Sequence, residues 1–445
     1  MRLSRRGVDR WLHAGLFSLY LGAFSVFGFA RRLHGALGNV ALMGLLGLTL
    51  ALCLYALWRS RRVPLFGVLL LGLLPYLHMG YFVLTGQSTG GAFIYLYKFS
   101  GYLLIPYLWL WARARDDRQI EATLMLVAGV IGARALLTFA VPGLATGSGG
   151  FMDDFIIWEW VGPLPRVFYP GMALVFFGLL VAIRDVFQAS GRELPLGLLK
   201  AGLFTAALAV SMSRGTLLFA ALLATLFVLL RFLSARTTRA RKGRLVLASL
   251  LALNGAALVV LATPLSDPVG RAAAGFQGEE RFSLDRGNLD WRDEQVRAAF
   301  ALVRTDEERL LGVGTTTFIP ERLDSHRLGH LINELHYSYT SVRWTFGYLG
   351  LGLLVAFAVA QPLVRAALVR PDGSLILPAA FTLAFAALVG SYTIVFTLPD
   401  WAFMLALCGA YLNARCGAPR PDPADPAAAL ARVGRLPARP ERTAP

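Results

Sequence analysis

His336 is the side chain of this sequence best suited to take a proton. It stands in Asn333-Glu334-Leu335-His336-Tyr337, at the end of the one long polar stretch of an otherwise apolar chain. Imidazole titrates near neutral pH, and Asn333 or Glu334 could orient it as a general base. The plainer alternative is a packed or surface histidine. His326 and His330 are spaced i, i+4, and the three histidines together give a weak metal signal. No cysteine or acidic ligand motif completes it, so no metal site is expected.

The cations that would work beside such a base are nearly all arginines. Lys98, Lys200 and Lys242 are the only lysines. Arginine suits bidentate phosphate binding and cannot act as a base. Arg214 lies in Ser211-Met212-Ser213-Arg214-Gly215, between two apolar segments. Arg166 lies in Pro165-Arg166-Val167-Phe168-Tyr169-Pro170, at another segment start. Each alone reads as a helix-end cation at an interface. Together they suggest a clamp on an anionic headgroup. Lys98, among Tyr95, Tyr97 and Tyr102, either snorkels through an aromatic belt or joins the same anion site. Arg286 and Arg292 lie in the long polar stretch, where most charges are simply solvated. Arg286 gains weight by preceding an amphipathic helix. No Asp-x-Asp motif occurs, and Gly312-Val313-Gly314-Thr315 lacks the Gly-Lys-Ser/Thr of a nucleotide loop. No cofactor is expected.

The elements that must position these groups are apolar. Of 445 residues, 56% are hydrophobic and 16% charged. The apolar residues run in blocks long enough to cross a bilayer, and they do not alternate as barrel strands do. The expected fold is an all-α polytopic membrane protein with about twelve spans. The spans are placed near 11–30, 36–58, 64–84, 91–112, 120–141, 167–187, 195–212, 215–233, 245–263, 346–368, 375–397 and 400–415. The first is read as an uncleaved helix.

The formal charge of +16 would suggest nucleic acid in a soluble chain. Here the basic residues cluster in alternate loops: Arg59, Arg61 and Arg62; Arg113, Arg115 and Arg118; Arg231 to Arg244. That is the positive-inside pattern, so the charge sets topology and no nucleic-acid partner is expected. The long stretch, 264–345, holds about ten Arg against about thirteen Asp and Glu and falls on the outer side. None of the cysteines Cys53, Cys408 and Cys416 lies in it. The organisation expected is spans one to nine over 1–263, the outer loop over 264–345, three more spans over 346–415 and a disordered Pro-, Ala- and Arg-rich tail over 416–445. Within the loop, Trp291, Val296, Ala299, Phe300 and Val303 share one helical face, with Asp290 as the cap. This helix is expected to lie on the membrane part, apolar face down. Gly312 and Gly314 mark a turn, and a second helix starts near Glu334 and runs into the tenth span.

Ser213-Arg214-Gly215 at an outer turn, a loop helix bearing Trp291 and Arg292, Leu311-Gly312-Val313-Gly314, His336, and Gly347-Tyr348-Leu349-Gly350-Leu351-Gly352 occur in an order that resembles the O-antigen ligase and polymerase superfamily. The likeness covers about residues 160–360. The family often carries His-Asn at the loop end, where this chain has His336-Tyr337. The resemblance implies a membrane glycosyltransferase of the type C kind in the bacterial inner membrane, its site facing the periplasm. It implies transfer of a glycan from undecaprenyl pyrophosphate to the lipid A–core oligosaccharide, inverting and without metal. His336 would be the base, Arg214 and Arg286 would act in the site, and Arg166, Lys98 and Arg292 would bind the pyrophosphate. A monomer is expected. Two alternatives stand: a polymerase using the same donor, and a transporter. A transporter would need ionisable residues deep in several spans.

Overall fold

The computed structural model describes residues 5–21, 35–60, 66–86, 99–141, 156–161, 164–189, 193–211, 214–233, 295–314, 337–368, 375–392 and 399–416. In chain order the helices are α1 (Arg5–Leu21), α2 (Gly35–Arg59), α3 (Phe66–Leu84), α4 (Ser100–Leu103), α5 (Ile105–Arg113) and α6 (Asp117–Ala140). A hairpin of β1 (Ile156–Val161) and β2 (Leu164–Phe168) follows. Then come α7 (Met172–Gln188), α8 (Glu193–Ala209), α9 (Arg214–Leu233), α10 (295–301) and α11 (Asp306–Leu311). The chain closes with α12 (Ser338–Leu353), a π-helix (Leu354–Ala360), α13 (Gln361–Leu368), α14 (Ile376–Tyr392) and α15 (Pro399–Cys416).

Among the described residues four helical stretches are long and apolar enough to cross a membrane: Val40–Arg59, Asp117–Ala140, Thr216–Leu233 and Ser338–Leu368. Ile376–Ser391 is shorter and equally apolar in kind. The fourth expected span is divided, because the chain breaks at Leu104 between α4 and α5. The helix expected from near Glu334 into the tenth span opens at Ser338 among the described residues.

The described residues are overwhelmingly helical, with one short hairpin that the sequence reading does not anticipate. Ile156-Ile157-Trp158-Glu159-Trp160-Val161 is β-branched and aromatic, and it pairs antiparallel with Leu164–Phe168. Residues 167–168 therefore belong to a strand, and α7 opens only at Met172. Pro170 cannot donate to a strand ladder, which ends β2 two residues earlier.

The core is built around the last helix. Nearly every residue of α15 from Trp401 to Leu412 is buried. A helix buried on all sides is apolar on all sides, and Ala402, Phe403, Met404, Leu405, Ala406 and Leu407 have no polar face. Phe17 of α1 packs edge-on against Trp111 (5.0 Å) and tilted against Phe403 (5.3 Å), and Tyr20 stacks on Phe403.

The two ends of the bundle differ. At one end lie the start of α1, the end of α5, the start of α6 and the ends of α7 and α15, joined by ion pairs. Arg115 donates to both Asp9 oxygens (2.9 and 2.7 Å). Arg415 pairs with Asp117 (2.9 Å) and donates to the Arg115 carbonyl (2.6 Å). Arg184 reaches Glu121 (2.6 Å) and Asp185 (2.7 Å). Some basic residues of the alternate loops are thus tied to carboxylates and do not act on topology alone. The opposite end is joined by backbone contacts and single hydrogen bonds to carboxylates. There the Gly171 amide, at the start of α7, donates to Asp400 at the start of α15 (2.8 Å).

Candidate functional site

The second end collects the elements that the sequence motifs mark. α10 forms where expected, and its apolar side packs as expected. Ala299, with Val296, Phe300 and Val303 around it, meets Val313 and the fully buried Trp344 of α12. The chain then caps α11. The Thr305 hydroxyl accepts from the Glu308 amide (3.1 Å), and the Glu308 carboxylate accepts from the amides of Thr305 (3.0 Å) and Arg304 (2.7 Å). These backbone donors hold the Glu308 carboxyl below its ordinary value.

The glycine turn after α11 locks into a break in α12. Gly312 and Gly347 both take positive φ, 82° and 63°. With extended ψ these are conformations that only glycine adopts without strain. A Cβ added to Gly312 would lie 2.5 Å from the Gly347 nitrogen; one added to Gly347 would lie 2.6 Å from the Gly312 nitrogen. The break at Gly347 frees the carbonyls of Trp344 and Thr345 from their helical roles. Val313 and Gly314 donate to them, at 2.9 and 3.2 Å. Two motifs about thirty residues apart are therefore one backbone joint.

α3 holds the other side of α11. His78, buried in α3, meets the Leu311 carbonyl through Nε2, and Tyr81 donates to Glu307. A carbonyl only accepts, so His78 carries its proton on Nε2. The ring also packs edge-on to Phe346 (5.2 Å), which meets Phe99 at 5.0 Å. On α12 itself, Arg343 lies over the rings of Phe300 and Tyr348, 4.4 Å from each centroid.

The expected site residues divide as follows. Arg166 lies within β2 and Arg214 opens α9. Their backbones converge, because Val167 donates to the Val210 carbonyl (3.0 Å), four residues before α9 opens at Arg214. The Tyr169 hydroxyl donates to Ala207 of α8 (2.7 Å), which fixes the same join. The side chains of Arg166 and Arg214 lie outside the described residues, as do Lys98, Arg286, Arg292 and His336. Tyr337, next to His336, caps the start of α12. That start is held to α14 by the Tyr339 hydroxyl on the Ala387 carbonyl (3.0 Å). α14 packs in turn on α7 through Phe176 and Phe385 (4.3 Å) and on α9 through Phe227 and Phe381 (5.5 Å). The start of α12 and the backbones that carry Arg166 and Arg214 thus meet the same set of helices.

His78 and Arg343 did not stand out from sequence. An ionisable residue inside an apolar span is a usable signal for His78. Arg343 had none beyond its distance from His336. Among the described residues no three His, Cys, Asp or Glu side chains gather as metal ligands, and His326 and His330 lie outside them. Comparison with protein-family models and with characterised proteins gives no match for this chain.

Proposed function

We propose that this chain is an inverting glycosyltransferase of the O-antigen ligase kind. It would use a lipid-linked diphosphate sugar donor and a lipid A–core acceptor, at the periplasmic face of a bacterial inner membrane. The observation that carries the reading is the convergence at one end of the bundle. The strand bearing Arg166, the helix opening at Arg214 and the start of α12, which His336 precedes in sequence, share that end, with α10 and α11 docked beside them. The ion-paired end collects Arg59, Arg113 and Arg231 at helix C-termini, which supports a cytoplasmic placement for it. The order of the sequence motifs supports the family reading and, with it, about twelve spans.

In this mechanism His336 takes the proton of the acceptor hydroxyl. The oxygen attacks the anomeric carbon as the bond to the diphosphate oxygen breaks, which inverts the centre. Arg214, Arg166 and Arg286 offset the negative charge growing on the departing diphosphate, with Lys98 and Arg292 in support. Neither metal nor nucleotide takes part.

The test is His336→Ala in a deletion strain. Lipopolysaccharide without polymeric glycan, with long glycans accumulating on the lipid carrier, is the expected result. Lipopolysaccharide capped by a single repeat indicates a polymerase instead. Normal lipopolysaccharide sinks the assignment of the base.

A further inference from the structure

Arg115, Arg184, Arg365 and Arg415 are wholly or partly buried, and each donates to a side-chain oxygen: Asp9 (2.7 Å), Glu121 (2.6 Å), Asn413 (2.6 Å) and Asp117 (2.9 Å). Arg343 is partly buried as well, yet no side-chain oxygen among the described residues accepts from it. Its guanidinium is held by Phe300 and Tyr348 instead. Aromatic faces stabilise a cation without using its N–H groups, so the planar fork of five donors stays unspent. The same half-helix holds two more unspent groups. Ser341 Oγ and Trp344 Nε1 are fully buried without a hydrogen-bond partner. Trp344 shares Phe300 with Arg343, edge-on at 6.1 Å.

The surroundings indicate what such a fork would take. It lies six residues beyond Tyr337, at the end of the bundle where the other candidate cations are carried. Arg343 stands near the start of Ser338–Leu368, a stretch long and apolar enough to cross a membrane, and Tyr348, Leu349 and Val355 further along it are exposed. A planar cation fixed at the head of an apolar, exposed helix matches a phosphate head on a hydrocarbon tail.

We propose that Arg343 is a binding residue for the phosphate oxygens of a lipid-linked ligand. That the lipid is the diphosphate donor rests on the glycosyl-transfer reading; the anion site itself does not. Full-length protein in phosphatidylcholine nanodiscs is titrated with farnesyl diphosphate, with melting temperatures recorded alongside. Arg343→Gln is expected to weaken binding at least tenfold. Arg343→Lys is expected to fall between, since it keeps the charge and loses the fork. Equal affinity of wild type and Arg343→Gln, or no diphosphate binding by wild type, overturns the proposal. Should the glutamine variant fail to fold, the lysine variant decides, and unchanged affinity in it overturns the proposal. Replacing the disc lipid by phosphatidylglycerol separates the two lipid sources. Continued binding of farnesyl diphosphate supports the donor, and its full exclusion assigns the site to bulk lipid and overturns the donor. His336→Ala is expected to keep diphosphate affinity while losing transfer. Transfer by that variant sinks the assignment of His336 as the base, absence of transfer by the wild type sinks the glycosyl-transfer reading, and either result leaves the anion site standing.

Discussion

Gly312 and Gly347 meet backbone to backbone, and neither has room for a methyl group. Gly347→Ala combines a disfavoured φ with a clash against the Leu310–Gly312 backbone. The expected cost is roughly 2–4 kcal/mol. The melting temperature of the purified protein should fall by several degrees. Gly352→Ala, five residues further along α12 with nothing within 4 Å of its new methyl, should change little. Equal melting temperatures for the two variants would disprove the joint.

His78 and the Leu311 carbonyl give a second handle on the same turn. His78→Phe keeps the aromatic contact with Phe346 and leaves the carbonyl unpaired. The expected loss is about 1–3 kcal/mol. His78→Gln offers an amide N–H in its place and should recover part of it. Limited proteolysis within 264–336 reads the outcome: faster cleavage in the phenylalanine variant than in the glutamine variant is expected, and identical rates would refute the latch.

Thr305→Ala removes the hydroxyl that accepts from Glu308, and should destabilise α11 by about 1 kcal/mol. Hydrogen-exchange protection of residues 306–311 measures it. The cap also has a pH signature. Glu308 has a depressed folded value, so its contribution is complete above the ordinary carboxylate value of 4.5 and is lost as pH falls through the lower folded value. Protection that is unchanged below that range would argue against the carboxylate as cap.

Arg184 answers two carboxylates from a buried position. Arg184→Met leaves Glu121 without its cation and Asp185 with only the more distant Lys200 (3.9 Å). The expected loss is about 3 kcal/mol. Glu121→Gln keeps Asp185 as partner and should cost clearly less. If the two variants melt together, the pair is not what secures that end.

The loop helix was legible because its apolar residues recur at helical spacing, and Val296, Ala299, Phe300 and Val303 do face one neighbour. The glycine turn was legible for the same local reason, and Gly312 and Gly314 both take positive φ. What the turn grips was not legible, since no local pattern states that Gly347 will break its helix to receive it. The hairpin at 156–168 was read as loop and helix start because its strands are short and lie between apolar segments. Thr305 and Glu308 had the spacing of a capping box, a signal that was present and passed over. The arginines show the limit most clearly. Arg115 and Arg343 carry the same charge in sequence, but one meets Asp9 and the other two aromatic rings. Packing makes that difference.

The position of α15 bears on how the chain is made. Its most buried helix is the last of the described ones, and among the partners of that helix α4 and α5 precede it by some three hundred residues, the interval that separates Arg115 from Arg415, and α1 by still more. Phe17, Tyr20 and Trp111 must therefore wait in the nascent protein without their central neighbour until synthesis is nearly finished. A ribosome that stops short of residue 399 releases a ring of helices with no axle. A truncation a few turns before Cys416 removes the centre of that core.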